Sequence, residues 1–573
     1  MADINAINDH APIETEITPA FEQTYHIHGP SFTPPTLSFL DAYLAGVYSY
    51  RILIFRNTNG TAGQSRMLSA LRTGLRNLRD ILPLLGGSVE TVSPEEVKTR
   101  GLQRGWKEIK PNDAGLELVI KDLSSDMPSF EEMRKREFPA SMLPGAKLIP
   151  VPLAPVMAPP FSCAKFQLNF IQGGALLSVC IVHAVADGNG MDQLVGMLAE
   201  ECRLADAVAT GKVTADEGVG EVRRKVRVEG PLGMDRSAVI DLPERPTTIE
   251  EHPGYVHHPD PDEVAAEAGK ASTKDGTVAT PASTNSADST DTNSDDPPPP
   301  EKHLYLLEIS ASNLMALKTA ATGPTTANTT TTTNSTATTP WISTHDAIEA
   351  LIWRSLLLSR QATHTLPLPS SSPSNPESTT SKFLLSTNAR KHLSPPLPQN
   401  SYLGNCTYFV RAELPLSTLL SADDPITALT TAAHAIRTAI SSVTQEKVAE
   451  INTLMRNLPH VNMIFLSVFE TAGGTDVCSG SMWRSDTIYN STWGEAFGEE
   501  GVVRMRCPGD VGFMASMIDV VQVLPRVLSG ENEGAAEVTV ALSRDGLEVL
   551  RRDELWKRFV RVIDGPEGTV LDE

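Results

Sequence analysis

The chain has 573 residues, too many for one hydrophobic core, so two to four domains are expected. Lys and Arg number 48 against 70 Asp and Glu, a formal charge of −22, which argues against a nucleic-acid partner or an anionic membrane surface, because both need a basic footprint. Hydrophobic residues at 40% and charged residues at 21% fit a globular chain.

Residues 1–20 carry no basic start followed by an apolar run, so no secretory signal is expected. No stretch approaches the roughly 20 apolar residues of a membrane span. Six scattered cysteines (Cys163, Cys180, Cys202, Cys406, Cys478 and Cys507) form no CxxC pair. They predict reduced thiols in a cytoplasmic protein, with neither a disulfide framework nor a zinc site.

Along Ser65–Leu85 the stripe Leu68, Leu71, Leu75, Leu78 and Leu82 predicts a helix that stops at Pro83 and Gly86-Gly87. Phe161–His183 reads as two strands joined by Gly173-Gly174, and Met191–Leu204 as a helix. From Asp260 to Pro300 nine acids face two lysines among Ala, Ser, Thr and Pro, a composition with no core to join. The organisation predicted is a first domain over 1–240, a disordered acidic linker over 241–302 and a second domain over 303–573. Polar inserts near 321–340 and 366–381 interrupt the second domain. A strand is predicted at His303–Ile309, and a helix capped by Ser343 and Asp346 follows. Asn462–Phe469, Val520–Leu524 and Val538–Leu542 read as strands, and Arg544–Phe559 as a late helix.

Chemistry concentrates at His183-Ala184-Val185-Ala186-Asp187-Gly188. The histidine ends an apolar strand, and the Asp-Gly pair with Gly190 supplies turn chemistry. A neutral imidazole at such a corner can take a proton from a hydroxyl or amine. The residues alone leave other roles open: a core histidine, a metal ligand with Asp187, or a base for a cysteine. The last two are disfavoured, because no second histidine lies nearby and strand alternation turns Cys180 to the opposite face. The chain has no Gly-x-Ser-x-Gly elbow, P-loop or dinucleotide glycine fingerprint.

With its flanks, this hexapeptide resembles the BAHD family of acyl-CoA-dependent acyltransferases, in particular its fungal branch of trichothecene O-acetyltransferases. Leu37-Ser38-Phe39-Leu40-Asp41 is similar to that family's opening LSPLD, and Leu82–Gly87 to its FPxLAGR segment. Asn388-Ala389-Arg390 with Pro395–Pro398 and Gly404-Asn405 resembles its R…PPLP…GN run. Ser481-Met482-Trp483 through Thr492-Trp493-Gly494 resembles its TSW…DFG stretch.

The resemblance implies an α/β fold of two chloramphenicol-acetyltransferase-like domains, each a mixed sheet flanked by helices, with a channel between them. It assigns His183 as general base. Asp187 would turn from the cleft to pair with Arg390, and Gly188 would leave room beside the channel. Ser481 and Trp483 would donate to the acyl oxyanion, and Thr492, Trp493 and Gly494 would support the site. Acyl-CoA is the implied co-substrate and a small alcohol or amine the acceptor, in a monomer with no metal, nucleic acid or membrane partner. Two departures stand out: the family's DFGWG survives only as Thr492-Trp493-Gly494, and its doubled histidine is Val182-His183. A rival reading is a catalytically degenerate relative that holds a hydrophobic small molecule in the same channel. A condensation domain of peptide synthesis shares the fold but usually has the doubled histidine.

Overall fold

The computed structural model describes residues 22–153, 159–264, 301–323, 341–363, 366, 379–397, 402–467, 474–509, 520–528, 530 and 532–565. Its strands are, in chain order, β1 (Glu22–Ile27), β2 (Tyr48–Arg56), β3 (Gly87–Thr91), β4 (Lys107–Pro111), β5 (Leu116–Asp122), β6 (Phe161–Ser162), β7 (Ala164–Ile171), β8 (Gly174–Val182) and β9 (Tyr255–His257). The chain continues through β10 (Lys302–Ile309), β11 (Thr380–Asn388), β12 (Thr407–Pro415), β13 (Ile464–Leu466), β14 (Val477–Ser481), β15 (Val502–Arg506), β16 (Val520–Val523), β17 (Ala536–Ser543) and β18 (Arg561–Asp564).

Two mixed sheets organise the molecule. The first has the order β1-β5-β7-β8-β2-β15 and the second β12-β11-β14-β16-β17-β10-β18. In the first sheet the central strand β8 is buried at every position, so it reads as an unbroken apolar run rather than an alternation. Helices Gly60–Ile81 and Gly188–Ala209 complete this core. They approach so closely at Gly74 that a Cβ there would lie 2.5 Å from Cys202 Sγ. Helix Thr344–Ala362 is buried along most of its length in the second core. Its start is the predicted capping box, with Ser343 and Asp346 satisfying each other's backbone N–H.

The halves are more interleaved than the sequence suggests. β15, from the second half, pairs antiparallel with β2 and closes one edge of the first sheet. Arg506 on β15 donates to both carboxylate oxygens of Glu537 on β17, at 2.7 and 2.9 Å. Arg506 also donates to the carbonyls of Phe138 and Glu137. This fully buried pair ties one sheet to the other.

The predicted linker over 241–302 is corrected at its start. β9 pairs with β13, Tyr255 belongs to the second core, and buried Asp260 accepts from Arg104. Val239, inside the predicted first domain, also packs in the second core. A three-residue strand is invisible when composition is averaged over sixty positions of acidic, polar chain. Residues 265–300 lie outside the described residues, as do most of the two inserts.

The late helix is also corrected. It is two helices, Arg544–Leu550 and Glu554–Phe559, because Asp553 caps the second by accepting from Leu555 and Trp556 N–H. Of the strand predicted at Asn462–Phe469, Asn462 and Met463 lie in a short 3₁₀ turn and Ile464–Leu466 is strand, while residues 468 and 469 lie outside the described residues. Among the described residues no helix is long and apolar enough to cross a membrane, and no three His, Cys, Asp or Glu side chains are grouped to hold a metal ion.

Candidate active site

Strand β8 delivers His183 to the end of the first sheet. The last link is His183 N–H donating to Val47 O at 2.8 Å. The chain then turns through buried Ala184, Val185 and Ala186. Helix Gly188–Ala209 starts three residues before the predicted Met191, because Asp187 itself is the N-cap, accepting from Gly190 N–H at 2.9 Å. The glycine this corner requires is Gly190, where a Cβ would sit 2.2 Å from Leu403 O; at Gly188 it would meet only Arg51 Nη2 at 4.0 Å.

The imidazole is held on both sides. Asn405 donates its side-chain N–H to Asp41 Oδ1 at 2.9 Å and to His183 O. That fixes the amide with its oxygen toward His183 Nδ1, at 3.2 Å. A carbonyl oxygen only accepts, so Nδ1 carries the hydrogen and Nε2 keeps its lone pair. Nε2 faces Ser49 Oγ at 3.0 Å, placed to accept the serine hydroxyl. Asp41 is in turn fixed by the capping box with Ser38 and by Arg236, 3.8 Å away. Burial lowers the His183 pKa below its ordinary 6.5, outweighing the opposing contact with Asn405 and the charge of Asp187. At neutral pH the ring is therefore an uncharged base.

Asp187 points away from that ring. Arg390 grips it with Nη1 at 2.8 Å and Nη2 at 2.9 Å, and Cys406 N–H adds a contact at 3.0 Å. Both side chains are almost wholly buried. Burial alone would raise the Asp187 pKa; Arg390 and the two backbone N–H groups outweigh it and hold the carboxyl below its ordinary value. Arg390 also donates to Tyr402 O and Gly404 O, closing the loop that carries Asn405.

Ser481 ends β14, which runs parallel to β11 with Leu385 opposite Ser479. Arg390, Ser481 and the start of β12 therefore lie at one end of the second sheet. Trp483 is half-buried against the second core, and its backbone N–H donates to Ser481 Oγ at 3.3 Å. Among the described residues, the His183 ring bonds to Ser49 and Asn405 and not to Ser481 or Trp483. The connection is one step removed: Ser485 donates to buried Asp192 on the helix that follows His183. Trp493 anchors the altered motif in the first core, edge-on to Phe55 at 5.0 Å and beside Phe497 at 4.9 Å. Thr492 is exposed, and Gly494 has φ 84°, a left-handed conformation suited to glycine.

Sequence reasoning missed Ser49, Asp41 and Asn405 as members of the histidine's surroundings, and His345 and Glu349 beside Ser481. Asp41 and Asn405 sit inside two of the quoted motifs, which was the available signal. His345 and Glu349 carried only their i,i+4 spacing on a predicted helix, and Ser49 carried none.

Known proteins share this architecture. Residues 47–202 match the trichothecene 3-O-acetyltransferase-like N-terminal domain, and residues 262–554 match the transferase family. The O-acyltransferase pigD of Monascus ruber is 24% identical, with 90% of this chain and 96% of that protein aligned. The trichothecene 3-O-acetyltransferase TRI101 of Fusarium sporotrichioides is 23% identical over 87% and 90%. The enoyl-CoA isomerase/hydratase claC of Penicillium crustosum is 26% identical over 95% of this chain, which spans about half (52%) of claC. The structure of F. sporotrichioides TRI101 with coenzyme A and T-2 superposes with a TM-score of 0.65, at 19% identity, covering 93% of this chain and all (100%) of that one. That of F. graminearum TRI101 with coenzyme A and deoxynivalenol gives 0.66 at 18% identity over 93% and 100%. The two-sheet fold is thus that of these acetyltransferases, and with just over half of its length in one family match the chain belongs to the transferase family.

Proposed function

We propose that the protein transfers an acyl group from an acyl-CoA thioester to a hydroxyl or amine of a small secondary metabolite, acting as a cytoplasmic monomer. The observation that carries this reading is the His183 ring, held by Asn405 so that Nε2 keeps its lone pair and already accepts a hydroxyl, that of Ser49. The acetyltransferase and O-acyltransferase names of relatives aligned over most of their length supply the substrate class.

In this scheme His183 Nε2 takes the acceptor's proton as the acceptor attacks the thioester carbonyl. Charge then appears on the carbonyl oxygen, where the Ser481 hydroxyl and Trp483 indole N–H donate to it. The C–S bond breaks as the tetrahedral species collapses, and the imidazolium returns its proton to the CoA thiolate. Asp187 and Arg390 keep the corner rigid, while Thr492, Trp493 and Gly494 hold the loop behind it. The alternative, a degenerate binder, does not need an oriented lone pair or the Asp187–Arg390 pair. Incubating the purified protein with several acyl-CoAs and a panel of small alcohols and amines, and measuring acceptor-dependent CoA release, tests the reading. No release with any combination would count against it.

A further inference from the structure

Behind Ser481 lies His345, hydrogen-bonded to its hydroxyl and in charge contact with Glu349. His345 Nε2 is 2.7 Å from Ser481 Oγ and 3.0 Å from Glu349 Oε1. Glu349 is completely buried, and its Oε1 also accepts from Ser479 Oγ at 2.6 Å. His345 and Glu349 stand one helical turn apart on Thr344–Ala362, so both reach the same spot beside β14.

We propose that His345, polarised by Glu349, is a positioning residue that keeps the Ser481 hydroxyl hydrogen free to face the reacting carbonyl. The proposal rests on the acyl-transfer reading. A carboxylate can only accept, so the ring nitrogen facing it carries a hydrogen. Nε2 bearing hydrogen has no lone pair and cannot take the Ser481 proton. Ser481 Oγ instead accepts, from His345 Nε2–H and from the Trp483 backbone N–H at 3.3 Å. With its lone pairs engaged, the serine's own O–H is left to donate elsewhere. Were Glu349 absent, Nε2 could adopt the other tautomer, capture the serine proton and silence the donor.

The arrangement is not a nucleophile triad. In such a triad the carboxylate holds Nδ1 and the serine meets Nε2, whereas here both partners meet Nε2.

The test uses the full-length protein and two readouts. Glu349→Met removes the acceptor with little change of volume; Glu349→Gln retains a carbonyl in its place. We expect Glu349→Met to lower kcat about 10–100-fold with acyl-CoA KM unchanged, less than the roughly 10²–10³-fold typical of deleting an oxyanion donor. Glu349→Gln should stay near wild type, and Glu349→Met should add nothing in a Ser481→Ala background. An equal loss with Ser481 already removed overturns the proposal. Independently of turnover, NMR of protein labelled with ¹⁵N in its imidazoles, with the His345 signal identified by its loss in His345→Asn, should find Nε2 protonated at neutral pH. An unprotonated Nε2 there overturns the proposal even if acyl transfer stands. A protonated Nε2 in a protein without transfer activity would fault the acyl-transfer reading and leave the polarity of the chain intact.

Discussion

Asn405 presents its amide oxygen to His183 Nδ1 at 3.2 Å while donating to Asp41 at 2.9 Å, so a loop of the second half sets the tautomer of a histidine in the first. Replacing Asn405 by Ala should leave the ring free to rotate and reduce kcat by about 10²-fold, the scale of a misplaced catalytic group. Asp41 and the His183 carbonyl would each lose the side-chain amide donor, while the backbone N–H at position 405 still reaches Asp41. Stability should therefore fall by about 1–3 kcal/mol. Steady-state kinetics beside a denaturation curve separates the two effects.

The pH dependence follows from burial. Because burial lowers the His183 pKa, the ring stays an unprotonated base to a lower pH than an exposed histidine would. The acid limb of kcat/KM should lie below the ordinary imidazole value of 6.5. A profile measured with one acyl-CoA and a neutral acceptor checks this.

Asp187 and Arg390 form a buried, doubly hydrogen-bonded pair across the two halves. Asp187→Asn leaves the guanidinium without its charge partner, a change that typically costs about 3–5 kcal/mol. The sign with pH is fixed by the depressed Asp187 pKa: the pair's contribution is present above the unfolded carboxyl value of about 3.9 and is lost as pH falls through the lower folded one. Wild type and variant should therefore converge in stability as the solution is acidified, as read from denaturation midpoints across the acid range.

The acidic segment gives a contrast between neighbours. Excising 265–300 and bridging the gap with a flexible linker should change the melting temperature little, since loop-closure cost grows slowly with length and the composition offers little to bury. Extending the excision back to Gly254 should lower it clearly, because β9, Tyr255 and the Arg104 contact with Asp260 go with it.

Much of the fold was legible in the sequence where periodicity is long. The Leu68–Leu82 stripe, the paired strands around Gly173-Gly174 and the Ser343 cap each appear within a few residues of where the pattern put them. The Asp187–Arg390 pair followed from resemblance, since nothing local links positions 203 residues apart. What escaped was set by tertiary contact. β15 joins the other half's sheet through hydrogen bonds that its five residues do not announce. Glu349 stands four residues after His345 on a predicted helix, but its burial against β14 and its bond from Ser479 have no signal in the sequence.

The central claim is that His183 Nε2 removes the acceptor's proton. The direct measurement is acceptor-dependent CoA release by His183→Ala beside wild type, with acyl-CoA affinity determined by calorimetry on both. Loss of a general base typically costs about 10²–10⁴-fold, so kcat should fall in that range while acyl-CoA affinity and the melting temperature hold. Turnover by His183→Ala at the wild-type rate, on an identified acceptor, would contradict the account.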